Sequence, residues 1–150
     1  MEYEPIFPAG FHDITIDKLD EFFVIPFDNN SRRRYLTDRL KIILSELKGI
    51  GINFEIWIDG SYATRKPDPA DVDIFISAIS AEFNAVPKDK IAFIVDLISD
   101  PKECKLRYGC ELYFAPRELE WSVSAWRGWF GFSRNNTPKG IPRLTMEAMS

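Results

Sequence analysis

The pattern of apolar residues in this chain predicts an α/β fold of the α+β kind, a mixed β-sheet flanked by helices in a single domain. Three observations carry that expectation. Leu36, Leu40, Ile43, Leu44 and Leu47 recur at helical spacing and form one apolar stripe. Two short segments, Phe54–Asp59 and about Asp71–Ser77, read as strands. A second helical pattern follows at residues 88–99, so helix and strand signals interleave. At 150 residues the chain is the size of one domain. We divide it into an N-terminal extension (1–30), a core (31–115) and a C-terminal helix and tail (116–150).

Taken in order, residues 1–14 carry two prolines and a glycine and are expected to run over the surface. Thr15 is placed to cap a short helix through Phe23, where Leu19, Phe22 and Phe23 recur at helical spacing, and Pro26 ends it. Ser31 is a good cap for a helix over 32–48, with Gly49 and Gly51 as its stop. The first strand leads into Gly60-Ser61 and a polar, proline-containing segment to Ala70. The second strand follows. Ile91, Ile94, Val95 and Ile98 give the helix over 88–99 its apolar side, and Asp100-Pro101 is expected to break it. Residues 105–114 (KLRYGCELYF) read as a third strand, and 117–130 as a tryptophan-rich helix. The stretch Ser133–Pro142 is turn-like, and Ile141–Met146 is expected to add an edge strand.

Composition narrows the function classes. A hydrophobic fraction of 45% fits a globular protein, and no apolar run is long enough to span a bilayer. The first residues, Met1-Glu2-Tyr3-Glu4-Pro5, are acidic and lack the basic and apolar regions of a signal peptide, which predicts a cytoplasmic protein with no membrane partner. Cys104 and Cys110 make neither a disulfide framework nor a zinc spacing and read as reduced cysteines in or near a strand. A net charge of −4 argues against broad binding of nucleic-acid backbone.

The informative constellation is Gly60-Ser61, nine intervening residues, then Asp71-Val72-Asp73. Side chains alternate along a strand, so Asp71 and Asp73 share a face. Val72, Ile74 and Ile76 take the other face, and Phe75 is an apolar exception beside the acids. Two carboxylates at this spacing repel by roughly 2–3 kcal/mol at an effective dielectric near 20. A hard divalent cation relieves that repulsion and also favours phosphate oxygens. Glycine lets the chain leave the first strand sharply, and a helix opening near Ser61 would aim backbone N–H groups at a phosphate. A bland reading stands beside this one, with two solvated acids on a strand edge.

The segment WIDGSYATRKPDPADVDIFI resembles the core motif of the DNA polymerase β-type nucleotidyltransferase superfamily: Gly-Ser, a spacer of about ten, then Asp-x-Asp on an apolar strand. Similar minimal nucleotidyltransferases serve as antitoxins paired with HEPN-type toxins. Most of the chain, through FPAGFHDIT, SRRR, WIDGS, RYGCELYF and PKGIPRL, is similar to small nucleotidyltransferase-like proteins. The resemblance implies a nucleotidyltransferase-like sheet, Gly60 and Ser61 at the triphosphate, and Mg²⁺ (or Mn²⁺) on Asp71 and Asp73. It also implies a third carboxylate on a later strand that aligns the acceptor hydroxyl. Glu111 is the best match, with Arg107, Gly109 and Tyr113 on its face, although glutamate stands where the family has aspartate.

Other residues carry two readings each. Arg65 and Lys66 either neutralise phosphate charge or lie in a solvated loop. Arg32-Arg33-Arg34 either meets RNA or an acidic protein, or is the solvated first turn of a helix. Lys139 and Arg143 either approach the nucleotide or sit on a surface turn, and His12 lies in a loop unsuited to a general base. Trp121, Trp126 and Trp129 either stack a base or, more commonly at helical spacing, pack the interior. Three functions compete. The first moves NMP from an NTP, ATP above all, to a hydroxyl on a protein or RNA end, in one version as the antitoxin of a toxin-antitoxin pair. The second is a degenerate nucleotidyltransferase fold that binds or neutralises a partner protein such as a toxin. The third is an unrelated metal-dependent hydrolase, weakened by the lack of histidine ligands.

Overall fold

The computed structural model describes residues 3–132 and 137–148. Five strands form one mixed sheet: β1 (Gly10–Asp13), β2 (Phe54–Asp59), β3 (Val72–Ala78), β4 (Cys110–Pro116) and β5 (Gly140–Met146). Their order across the sheet is β1-β5-β2-β3-β4. The helices are α1 (Leu19–Phe23), α2 (Ser31–Ile50), α3 (Ser80–Ala85), α4 (Lys88–Ser99), α5 (Pro101–Tyr108) and α6 (Glu120–Phe130). The architecture is therefore α+β. β2 runs antiparallel to β3 and to β5, while β3–β4 and β1–β5 are parallel pairs.

The period-2 alternation of the strands separates two cores. Ile56 and Ile58 of β2, Val72, Ile74 and Ile76 of β3 and Leu112 of β4 pack with the apolar stripe of α2. On the opposite face Trp57, Phe75, Ala115, Phe130 and Ile141 form a smaller cluster with Phe11, Tyr113, Val123 and Trp126 against it. Phe75, the apolar exception beside the acids, is thus a core residue of the second face. Its ring centroid lies 4.5 Å from that of Trp57 and 5.8 Å from that of Trp126. Of the residues assigned to the apolar side of α4, Ile91 and Ile94 are buried while Val95 is exposed, and Leu97 completes the buried set.

Four elements differ from the sequence expectation. Residues 10–13 are a strand, not a wandering segment, because β5 offers them a parallel edge. β5 is accordingly an interior strand with neighbours on both sides. The expected strand over 105–114 is a helix followed by a strand, for Tyr108 ends α5 and Gly109 turns the chain with φ 63° into β4. Asp100-Pro101 stops α4 and also opens α5: proline occupies the first turn, and the Asp100 side chain accepts a hydrogen bond from Glu103 N at 3.2 Å. Ser133–Asn136, part of the stretch read as turn-like, lie outside the described residues.

The basic run Arg32-Arg33-Arg34 does form the first turn of a helix, but of the three only Arg34 is exposed. Arg33 is fully buried. Its guanidinium donates to the carbonyls of Phe23 (3.2 Å), Tyr62 (2.8 Å), Thr64 (2.6 Å) and Lys66 (2.7 Å), and lies 3.7 Å from the Phe27 ring centroid. Burial lowers its pKa to about 10, so it stays charged at neutral pH. Arg32 donates to the carbonyls of Pro69 and Ala70, and Arg34 pairs with Asp20 on α1 at 2.9 Å. Two of the three arginines therefore hold the β2–β3 connection onto α2. The N-terminal segment holds it from the other side, through Ile6 N to Ala63 O (3.0 Å) and Arg65 N to Glu4 O (2.7 Å).

Removing this guanidinium leaves several buried carbonyls without donors, at about 1–3 kcal/mol for each that water does not reach. Arg33→Ala is expected to lose more than about 3 kcal/mol in a urea titration. A loss under about 1 kcal/mol would mean that the cage is replaceable by solvent.

Candidate active site

The site grows out of strand register. β2 pairs Asp59 with Asp73, and β4 pairs Glu111 with the same Asp73. Directly paired residues project from the same side of a sheet, so Asp59, Asp73 and Glu111 form a row across three strands. Asp71, just before β3, lies on the same face by alternation. The next row on that face is Trp57, Phe75 and Tyr113. Aromatic packing under α6 therefore fixes the ground beside the acids.

Gly60 follows Asp59 with φ 84° and ψ −172°. Only glycine adopts this backbone without strain. A Cβ here would sit 3.1 Å from Asp73 Oδ2 and 3.4 Å from its Cγ, so the turn and the carboxylate are in direct apposition. Ser61 opens a single 3₁₀ turn, Ser61–Ala63, in place of the helix expected there. Too few N–H groups align in such a turn to make a helix-terminus anion site. The connection is instead held by the carbonyl cage of Arg33.

Electrostatics mark Asp73. Burial, then the charges of Asp71, Asp59 and Glu111, push its carboxyl up to about 7. Asp59 is pushed up to about 6 by burial, against the pull of Lys139. Lys139 Nζ lies 2.5 Å from Asp59 Oδ1 in an ion pair, with both side chains nearly enclosed. Across the row, Lys105 Nζ lies 3.3 Å from Asp71 Oδ2 and 3.4 Å from Glu111 Oε1. The Tyr113 hydroxyl donates to Glu111 Oε2 at 3.0 Å.

Of the residues singled out from sequence, the structure brings Gly60, Asp71, Asp73 and Glu111 together, with Ser61 at the margin. The other face-mates proposed for Glu111 do not hold: Arg107 is on α5 and pairs with Glu103, and Gly109 forms the turn, so Tyr113 alone shares its face. Among the described residues neither Arg65 nor Lys66 reaches the acids through its side chain. Arg65 is exposed, and the Lys66 carbonyl serves Arg33. Arg143 is equally remote, bound to Asp13 and Glu55. His12 donates from Nε2 to Pro8 O at 2.7 Å and stacks on Phe7, a structural role. Cys104 and Cys110 are buried free thiols.

Sequence reasoning missed Asp59 and Lys105 as members of the site; Lys139, given either to the nucleotide or to a surface turn, is nearly enclosed beside Asp59. Asp59 was legible, since it sits one residue before the glycine and two after the buried Trp57. Lys105 was not, because the helix that carries it was read as strand.

Four carboxylates, two of them with a raised affinity for protons, offer the oxygen donors that a hard divalent cation prefers. With side chains as they stand, no group of three or more His, Cys, Asp or Glu among the described residues is arranged to hold a metal ion. Lys105 lies across two of the four. Its side chain is 48% exposed, so it is free to withdraw into solvent. Asp71, Asp73 and Glu111 are the residues that would hold the cation.

A family described as of unknown function (DUF6932) matches residues 1–145, and the chain belongs to it. No curated protein and no solved structure matches the chain. No helix among the described residues is long and apolar enough to cross a membrane.

Asp73 and Asp59 hold protons in the folded chain that the unfolded chain releases near pH 3.8. Stability is therefore fully present below about pH 4 and is lost as pH rises towards 7. The acids with lowered values, Asp13, Asp17, Asp20 and Glu118, act in the opposite sense and below that window. In chelator, the wild-type melting temperature is expected to fall between pH 4.5 and 7.5. Asp73→Asn should flatten that slope and raise the value at pH 7.5 by at least about 2 °C; a lower value would refute the assignment. Replacing Lys105 by Met removes a competing cation. Mg²⁺ affinity measured by titration calorimetry is expected to rise by about 5-fold, the effect of ~1 kcal/mol at a solvated charge pair, whereas an unchanged affinity would mean that Lys105 does not compete with the cation.

Proposed function

We propose that this member of the DUF6932 family is a metal-dependent nucleotidyltransferase. It would transfer NMP from an NTP, ATP in the first instance, to a hydroxyl on a protein or an RNA end. The observation that carries the reading is the apposition of Gly60 to a row of carboxylates on adjacent strands, Asp59, Asp73 and Glu111, with Asp71 on the same face. It is supported by the resemblance of WIDGSYATRKPDPADVDIFI to the nucleotidyltransferase core motif, and by the antiparallel-then-parallel order of β2, β3 and β4 around it.

In this reading the acceptor oxygen bonds to the α-phosphorus, the bond from that phosphorus to the bridging oxygen breaks, and pyrophosphate leaves. Mg²⁺ or Mn²⁺, when bound by Asp71, Asp73 and Glu111, supplies positive charge to the triphosphate. Gly60 leaves open the space beside Asp73 that any side chain would fill. Glu111, oriented by the Tyr113 hydroxyl, faces the acceptor and takes up its proton. Lys139 keeps Asp59 compensated, so the row carries one less uncompensated charge. A small chain of this kind acting as the antitoxin of a toxin-antitoxin pair is one setting for the activity, with the toxin as protein acceptor.

Lys105 favours a second reading. A lysine already spanning Asp71 and Glu111 is what a fold that has given up its metal would keep, and the chain would then serve as a binding module for a partner protein. Titration calorimetry with ATP and Mg²⁺ separates the two, since the module is expected to bind neither.

Incubation with each labelled nucleoside triphosphate, Mg²⁺ and a cell lysate is expected to label one macromolecular acceptor. Asp71→Ala should reduce labelling at least ~100-fold, the scale on which removal of a charge-stabilising group acts, while leaving the melting transition in place. Full activity in that variant would refute the reading.

A further inference from the structure

The face that carries the acids does not end at Tyr113. β4 is the edge strand of the sheet, and α6 lies over it. Between them runs a groove of about 330 Å³ lined by Tyr113, Ala125, Trp126 and Trp129. Its walls are aromatic. Trp126 is half-buried, its centroid 4.8 Å from that of Tyr113, whereas Trp129 is 71% exposed. The expectation that the three tryptophans pack the interior thus holds for Trp126 alone, because Trp121 is 74% exposed as well. Trp121, Ala125 and Trp129 follow one another at every fourth residue, so the small side chain of Ala125 leaves a gap on the face that the two exposed rings share.

Resting on the nucleotidyltransferase reading, we infer that this groove receives the base of the nucleotide whose phosphates meet the acid row. Continuity argues for it. Tyr113 lines the groove with its ring and donates its hydroxyl to Glu111, so one side chain belongs to both places. Glu111 and Tyr113 are two residues apart on one strand, a step of roughly 7 Å, which leaves a ribose-sized interval between groove and acids. The occupant suited to such walls is flat, aromatic and uncharged, and stacking on tryptophan tolerates any base. A second copy of the chain is the poorer occupant. The two exposed tryptophans offer at most about 500 Å² per copy, which only touches the ~1,000 Å² floor of a specific interface.

The test compares ATP with inorganic tripolyphosphate, each with Mg²⁺, by titration calorimetry and by intrinsic tryptophan fluorescence on the full chain. ATP is expected to bind about 5- to 150-fold more tightly, the range for one stacked base, and to quench the fluorescence. Trp129→Ala should lose that advantage and keep tripolyphosphate binding. Ala125→Leu, which fills the groove without removing a ring, should do the same. Equal affinity of the wild type for both ligands, or an advantage that survives both variants, overturns the base site and leaves the phosphate site standing. Failure of both ligands to bind overturns the nucleotidyltransferase reading and the groove with it. A change of molecular mass in Trp129→Ala by light scattering, with the ATP preference intact, would assign the groove to contact between copies and overturn the inference.

Discussion

A positive charge sealed inside the protein governs the candidate site. Arg33 brings a guanidinium from α2 into a shell of backbone carbonyls with no carboxylate partner among the described residues. Burying a charge without a counter-ion is tolerable only if the surrounding dipoles are fixed and nearly all its protons are used. The carbonyls of Tyr62, Thr64 and Lys66 meet that condition only when the chain after Gly60 takes one path. The cost of burying Arg33 thereby becomes a constraint on that path. Glu4 and Ile6 add backbone bonds to the same segment from outside.

On the far side of Gly60 the constraint reappears as crowding of negative charge. Three adjacent strands each place an acid at the same level, and the register that does so is the one demanded by Trp57, Phe75 and Tyr113 a step further along. A one-residue slip would turn the aromatic residues and the acids together into the core of the other face. Packing of the second face and alignment of the acids are consequently one structural decision. The two lysines partly compensate the row in different ways. Lys139 is enclosed with Asp59, while Lys105 arrives from solvent on a long stem.

Much of this was legible in the residues. The stripe of α2, the alternation of β3 and the pairing of Asp71 with Asp73 all follow from local periodicity, and the structure agrees with them. Glu111 was reached by analogy and proved to be Asp73's register partner. What escaped is non-local. Residues 10–13 become strand only because β5 lies beside them, and nothing in GFHD announces that. Residues 105–108 carry the same mixture of apolar and charged types as a half-buried strand, and only the positive φ at Gly109 separates helix from strand there. The arginine run reads as surface by composition, because a buried arginine is tolerated for its partners, here backbone carbonyls that no sequence pattern displays.

The position of β5 has a bearing on synthesis. It lies between β1 and β2, so the sheet stays split until residues 140–146 have left the ribosome. During that interval β2 presents an unpaired edge, and Asp59 is without the lysine that β5 brings along. Such long-range pairing is slow to form and leaves strand edges exposed to other chains meanwhile. A nascent chain stalled before residue 139 would carry all four acids of the row with the sheet still open.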